Sequence, residues 1–218
     1  MVPLEGRTAL VTGGKRRVGL AIANALREAG AHVIATSSQD ADLSTRDGVE
    51  SLLVSLPRID LLVSSAASFT NEKLGDVTFD SFDETFALNV RAPFFLAQRL
   101  GLQMKANGFG RIVSMADIAA TLPFPGYLPY SMSKAAIVTM TKGLAKALAP
   151  NVLVNAVAPG PVLLPEDFDA TERAAAVEPT VLKRPGTPEE VARTIVFLMQ
   201  SDYITGVTLP VDGGRLLR

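Results

Sequence analysis

Cysteine is absent from this chain, and so is tryptophan. Without cysteine there is no disulfide framework, no thiol nucleophile and no thiolate metal site. The single histidine, His32, cannot build a His-rich metal cluster, so no metal is expected. No uninterrupted apolar run reaches the length of a membrane span. The first residues lack the basic start and long apolar run of a secretory signal. Neither sign of charge dominates: 21 basic residues stand against 22 acidic ones, so no global basic surface marks a nucleic-acid partner. The expectation is a soluble, cytoplasmic protein that takes a small molecule, with neither nucleic acid nor membrane as partner. Aromatic residues make up only 6%, which leaves Phe and Tyr to stack on any flat ligand. Hydrophobic residues, by contrast, make up 48% of 218, enough to fill one sizeable core and to form a single domain over 1–218.

Short apolar runs alternate with helical patterns. Thr8–Val11, His32–Thr36, Ile59–Ser64, Arg111–Met115, Val152–Val157 and Gly206–Val211 read as strands. Leu20–Ala29, a stretch ending at Leu56, Phe82–Met104, Tyr130–Leu148 and Pro188–Met199 read as helices, with Pro93 bending or breaking the third. Gly30 stops the first helix, and Pro188-Glu189-Glu190 starts the last with a proline and two acids where both belong. This order predicts an α/β fold: a Rossmann-like, doubly wound, mainly parallel sheet with helices on both faces. One stretch is too short. Ser37 to Pro57 leaves little room for a crossover after the second strand, which normally takes a dozen or more residues. Either a helix is missing before Leu52 or residues are.

Thr12-Gly13-Gly14-Lys15-Arg16-Arg17-Val18-Gly19 links the first strand to the first helix. Gly13 can take a turn that a Cβ would obstruct, Gly19 permits close helix–sheet packing, and free amides at the helix start suit a pyrophosphate. Arg17 stands where a central glycine would complete G-x-G-x-x-G, and no P-loop ending is present. The second strand ends in Thr36-Ser37-Ser38, without an acid to grip both ribose hydroxyls. Hydroxyls near Arg17 accept a 2′-phosphate, which favours NADP(H) over NAD(H). Asp40 or Asp42 would reverse that preference if the shortened segment set either at the ribose. Further on, Tyr130 and Lys134 stand four apart, on one face of a helix, with Asp117 thirteen residues before the tyrosine. A lysine ammonium near a phenol favours the phenolate and makes a proton donor–acceptor near neutral pH.

Taken together, Thr12-Gly13 to Gly19, Asn89, Tyr130-x-x-x-Lys134 and Pro159-Gly160 resemble the short-chain dehydrogenase/reductase family. The resemblance implies a Rossmann sheet and NADP(H). It implies Tyr130 as proton donor, Lys134 on the nicotinamide ribose lowering the tyrosine pKa, and Asn89 in a water relay. Beside Gly13, Arg16, Arg17, Val18 and Gly19, it places the cofactor against Ser37, Ser38, Asp42, Leu43, Ser65, Ala66, Ala67, Tyr130, Lys134, Pro159, Gly160 and Val162. Two departures narrow it. The family's Asn-Asn-Ala-Gly appears as Ser64-Ser65-Ala66-Ala67-Ser68, and its catalytic serine is replaced by Asp117, with Ser114 three places early at a strand end. Both departures resemble pteridine reductases and the dihydromonapterin or dihydrofolate reductases of this type, although Ser64-Ser65 departs even from these. That resemblance implies hydride transfer to a ring C=N bond of a pterin-like or folate-like substrate. Phe69 would then cover one ring face, with Ser68, Asp117, Arg17 and Tyr130 around the ring. The competing expectations are a carbonyl reductase of 3-oxoacyl thioesters, quinones or sugars, and a nucleotide-binding protein without turnover.

Residues 161–187 form a proline-containing passage with scattered acids, Glu166, Asp167, Asp169 and Glu172, and are expected to cover the substrate, with Leu163, Leu164 and Phe168 as a lid. The family resemblance also implies a homotetramer whose contacts are the helices Phe82–Met104 and Tyr130–Leu148.

Overall fold

The computed structural model describes residues 1–164 and 168–217. Six described strands make one sheet: β1 (Thr8–Thr12), β2 (His32–Thr36), β3 (Leu61–Ser64), β4 (Gly110–Met115), β5 (Val152–Pro159) and β6 (Thr208–Val211). All are parallel, in the order β2-β1-β3-β4-β5-β6. The interior strands β1, β3, β4 and β5 are buried almost throughout, whereas β2 and β6 at the rims are largely half-buried. Buried parallel strands need apolar side chains on both faces, which is why they read as unbroken hydrophobic runs.

The helices are α1 (Arg17–Glu28), α2 (Arg46–Ser55), α3 (Phe79–Phe86), α4 (Ala92–Ala106), α5 (Leu128–Leu148), α6 (Ala170–Val177) and α7 (Pro188–Gln200). Consecutive strand residues supply opposite faces. Val11, Val63 and Val113 pack with Ile22 and Leu26 of α1 and Ile195 and Met199 of α7. Leu10, Leu62 and Ile112 pack on the other side with Leu52 of α2, Leu96 and Leu100 of α4 and Leu148 of α5. On α1 the buried positions Gly19, Ile22, Ala23 and Leu26 follow the spacing of one helical stripe. The expected doubly wound architecture is therefore present, and among the described residues no helix is long and apolar enough to cross a membrane.

The short segment resolves into more than a missing helix. From β2 the chain runs through residues 37–45 directly into α2, where the Thr45 hydroxyl accepts from the Gly48 N–H at 3.0 Å. It then passes to β3 on the far side of β1. In the usual order 3-2-1-4-5-6 a further strand lies outside the second. Among the described residues that strand and its crossover are absent, and β2 forms the rim.

Other elements differ from their sequence expectation for local reasons. The single helix expected over Phe82–Met104 is α3, a π-helical turn over Ala87–Arg91, and α4. Pro93 cannot donate to the Asn89 carbonyl four residues back, and its ring crowds that carbonyl, so the ladder widens just before it. α6 was not expected at all. It is held by a reciprocal cap in which Asp169 accepts from the Glu172 N–H and Glu172 accepts from the Asp169 N–H, each at 2.8 Å. Residues 165–167 of the expected lid lie outside the described residues.

One contact fixes how α1 leaves β1. A Cβ built on Gly19 would lie 2.1 Å from the Gly13 carbonyl oxygen, a backbone atom that cannot step aside. Gly19→Ala should therefore push the helix off the turn and lower stability by about 1–3 kcal/mol in urea unfolding. Parent-like stability would show that helix and turn are not in this contact.

Candidate active site

The glycine turn places Gly13 at φ +66°, with its built Cβ 3.0 Å from the Ala66 backbone, so the turn and the loop after β3 touch main chain to main chain. Thr12 reinforces this. Its hydroxyl oxygen accepts from the Ser65 and Ala66 amides at 3.1 and 3.3 Å. Arg17 sits at φ 50° as the first residue of α1, the left-handed conformation in which a glycine is more at ease. Its guanidinium donates to the Leu163 carbonyl at 3.2 Å, across the mouth of the site. Arg16 is exposed and Val18 half-buried beside it.

α2, α3, α6 and α7 each begin with a side-chain cap, but α1 has neither a capping side chain nor an acid in its first turn. Its amides therefore face the crevice between β1 and β3, where the strand order reverses, and with the glycine cradle they fit a dinucleotide pyrophosphate. Gly160 closes the opposite wall, since a Cβ there would meet the Asp212 Cα at 2.7 Å. Two other expected cofactor residues turn their side chains inward: Leu43 packs in the core beneath α2 and Val162 in the core beneath α1 and α7, which leaves their main chains for a ligand. Asp42 is engaged locally, accepting from the Ser44 amide and hydroxyl at 3.0 and 2.6 Å, which lowers its pKa. Ser37 and Ser38 follow β2 at the sheet rim, and Ser37 is bonded to Asp40.

Asn89, 1% exposed, lies on the π-helical turn. Its amide oxygen accepts from the Ser68 N–H at 2.9 Å, and its nitrogen donates to the Ser68 carbonyl and the Ser133 hydroxyl at 3.1 Å each. Ser133 in turn donates to the Tyr130 carbonyl at 2.6 Å. A continuous polar chain thus runs from the glycine turn through the loop after β3 to the first turn of α5. The sequence analysis missed Thr12 and Ser133 as fixing groups; each is a small hydroxyl residue flanking a motif, and its partner lies far along the chain.

Tyr130 is in the first turn of α5 and donates its phenol hydrogen to Asp117 Oδ2 at 2.8 Å. The other carboxylate oxygen accepts from the Ala119 amide at 2.8 Å. Lys134, 4% exposed, lies one turn on with Nζ 5.4 Å from the Tyr130 ring centre, and donates to the Met115 carbonyl at 2.9 Å. Burial lowers the Lys134 pKa to about 8, with Asp117 opposing, and burial raises that of Asp117 against the pull of its hydrogen bonds. Burial also raises Tyr130 well above a normal phenol, and the neighbouring Asp117 adds to it. The expectation that Lys134 would favour the phenolate is not met here, because the carboxylate rather than the ammonium faces the phenol oxygen. The phenol is held in its protonated form and, as a weaker acid than a free phenol, gives up its proton only to an oxygen on which negative charge develops.

Phe69 is half-exposed, but its ring stacks on Tyr127 at 4.2 Å and meets Tyr130 edge-on at 4.7 Å. Ser114 is buried inside β4, in register with Ser64 of β3. The expected constellation Tyr130, Lys134, Asp117 and Asn89 is brought together. Arg17, in contrast, is turned toward Leu163.

A family profile described as enoyl-(acyl carrier protein) reductase matches residues 42–215. The 3-oxoacyl-[acyl-carrier-protein] reductase of Rickettsia felis is 31% identical over 240 aligned positions, covering 100% of both chains. Those 240 positions exceed the 218 residues here, in keeping with a chain that has lost a crossover. Human dehydrogenase/reductase SDR family member 4 is 35% identical, covering 97% of this chain and 88% of its own. The solved gluconate 5-dehydrogenase of Burkholderia cenocepacia, in complex with NADP and tartrate, superposes with a TM-score of 0.89 at 27% identity, covering 99% and 97%. These relatives correct the expectation of a pteridine reductase acting on a C=N bond of a pterin-like or folate-like ring. Within the site, Asp117 bonds Tyr130 and Ala119, and one face of Phe69 is stacked on Tyr127. With matches that span most or all of its length, the chain belongs to the short-chain dehydrogenase/reductase family, as an enzyme built on that family's NADP(H)-binding fold.

Proposed function

We propose that this chain reduces a carbonyl carbon of the 3-oxoacyl-thioester or sugar-acid type, with Tyr130 as the proton donor. The observation that carries this reading is the 2.8 Å contact between the Tyr130 hydroxyl and Asp117 beside the buried Lys134. NADPH, when bound along the glycine turn, would supply the hydride. As the carbonyl oxygen gains charge, the Tyr130 hydroxyl turns its hydrogen bond from Asp117 to that oxygen and gives it the proton, leaving a tyrosinate. The product is an alcohol, and solvent returns the proton to the tyrosinate. Lys134 stabilises the tyrosinate when it is protonated, and its pKa near 8 keeps much of it charged at neutral pH.

Asp117 stands where the family resemblance implies a serine. A negative carboxylate there opposes a developing alkoxide. A neutral one carries an O–H and can donate as a serine hydroxyl does. Its raised pKa brings the neutral form closer to working pH. Asn89 holds Ser68 and Ser133 and thereby the position of Tyr130. The substrate is approached from the side of residues 161–187, where Leu163 is exposed and α6 lies on the surface.

The same reading includes a homotetramer. Phe94, Phe95 and Leu102 of α4 and Met132 of α5 leave apolar surface exposed, and a groove of about 730 Å³ between α7 and β6 is lined by Val181, Leu182, Phe197 and Leu209. Those are faces that further copies of the chain would cover, and light scattering at the mass of four chains is the expected result.

Turnover of NADPH should be seen with 3-oxoacyl esters or keto-sugar acids and not with dihydropteridines. Tyr130→Phe is expected to bind NADPH within a few-fold of the parent and lose about 10²–10⁴ in kcat. Undiminished turnover by that variant would end the proton-donor role. Asp117 also makes a stability prediction. Burial holds its folded pKa above that of a free aspartate, so the folded state holds the proton longer than the unfolded one. Stability contributed at low pH is then lost as pH rises through the window above 3.8. Asp117→Ser should melt higher than the parent at pH 7, and the difference should shrink as pH is lowered toward 4. A variant that melts lower at pH 7 would show that the carboxylate contributes more through its bonds than its burial costs.

A further inference from the structure

The two rims of the sheet are finished differently. Around β6 the Val207 and Val211 carbonyls accept from the Ala156 and Gly160 amides at 2.8 and 3.0 Å, so the main chain of Thr208 and Pro210 turns outward. Pro210 has no N–H to offer there, which blunts that edge. On β2 the His32 amide donates to the Arg7 carbonyl and the Thr36 carbonyl accepts from Gly14, each at 2.9 Å, so His32, Ile34 and Thr36 face β1. The N–H and C=O groups of Val33 and Ala35 therefore point away from the sheet, and among the described residues no strand pairs with that side. From His32 to Thr36 there is no proline, lysine or acid, and no bulge interrupts the register. The absence of an outer strand leaves this edge bare and unguarded, and such an edge is a template for another strand.

The geometry selects a second copy of the same edge. Set antiparallel about a two-fold axis at Ile34, Val33 of one copy and Ala35 of the other exchange both bonds, and so do Ala35 and Val33, which leaves no outward donor or acceptor over. Ile34 then meets Ile34 of the other copy at the close, non-bonded position. It is half-buried on the α2 and α4 side of the sheet and gains cover there. The ends agree in charge. Exposed Glu28 and Glu5, the latter packed beside Gly30, lie where the chain enters β2, and the cations nearby, Arg7 and Arg27, are engaged by Asp60 and Asn24. Exposed Arg16 stands by the exit of β2, next to the Lys15–Asp40 pair. Antiparallel pairing turns the acidic end of each copy toward the basic end of the other, whereas parallel pairing would set like beside like.

We propose that the bare β2 rim is a self-association surface, on which a second copy of this chain adds its own β2 antiparallel and the sheets run on as one. The contact lies at the rim opposite β6, apart from the faces assigned to the tetramer, so it joins whole assemblies and does not replace those contacts.

The test is the mass of the full chain by sedimentation equilibrium over a roughly thousandfold range of concentration, with amide exchange followed by mass spectrometry or NMR. Val33→Pro removes an outward donor without touching the ladder to β1, and Val33→Lys sets a charge on the edge. A melting temperature near that of the parent shows that each variant is folded, and Val33→Lys carries the comparison should the proline variant not fold. At the highest concentration the parent should weigh at least about twice as much as either variant. The Ala35 amide should exchange more slowly in the parent than in Val33→Lys. Equal masses for the parent and a folded variant across the whole range overturn the proposal. So does an Ala35 amide that exchanges as fast in the concentrated parent as in Val33→Lys, whatever the mass of the assembly.

Discussion

The shared direction of six strands is the constraint from which the site follows. Because all run parallel, every strand ends at the same edge of the sheet, and the residues that matter lie just beyond those ends. Gly13 follows β1, Ser37 follows β2, Ser65 follows β3, Asp117 follows β4, Gly160 follows β5 and Asp212 follows β6. Apolar packing on both faces holds the strands in register, and register sets how these loops face one another. The loops need little regular structure of their own, since the framework beneath already sets their spacing.

Within that edge, three ionisable side chains share one poorly hydrated wall. Lys134, Asp117 and Tyr130 each shift in the direction that disfavours charge; Asp117 and Lys134 temper one another, whereas Asp117 adds to the shift of Tyr130. Such a cluster costs stability, as expected where chemistry rather than folding has chosen the residues. The polar chain from Thr12 through Ser65, Ser68, Asn89 and Ser133 to Tyr130 links the two halves of the site. Pro93 contributes indirectly, because the widened helical turn it imposes is the turn that carries Asn89.

Much of this was legible in the sequence, for identifiable reasons. Interior parallel strands declare themselves as apolar runs, and α1, α5 and α7 carry either a stripe of small and aliphatic residues or a capping pattern. Tyr130 and Lys134 were legible because a helix turns a spacing of four into one face. What stayed hidden depended on distant partners. Arg17 bonds Leu163, and Phe69 stacks on Tyr127, contacts that no local pattern reports. α6 buries no side chain, so it left no periodic apolar signature and showed only an Asp169–Glu172 cap. The assignment to pteridine reductases rested on short local motifs around Asp117 and Phe69, whereas relatives that match along the whole length are a 3-oxoacyl-[acyl-carrier-protein] reductase and a gluconate 5-dehydrogenase.

The rim position of β2 has a consequence for how such a sheet tolerates loss. A border strand touches one neighbour, so trimming the border breaks a single ladder and leaves the remaining pairings as they were. Cutting out an interior strand would sever two ladders and both helical layers at once. Shrinkage of this architecture is therefore cheap only from the outside inward, and the adenosine end of the crevice is remodelled while the hydride end keeps its shape.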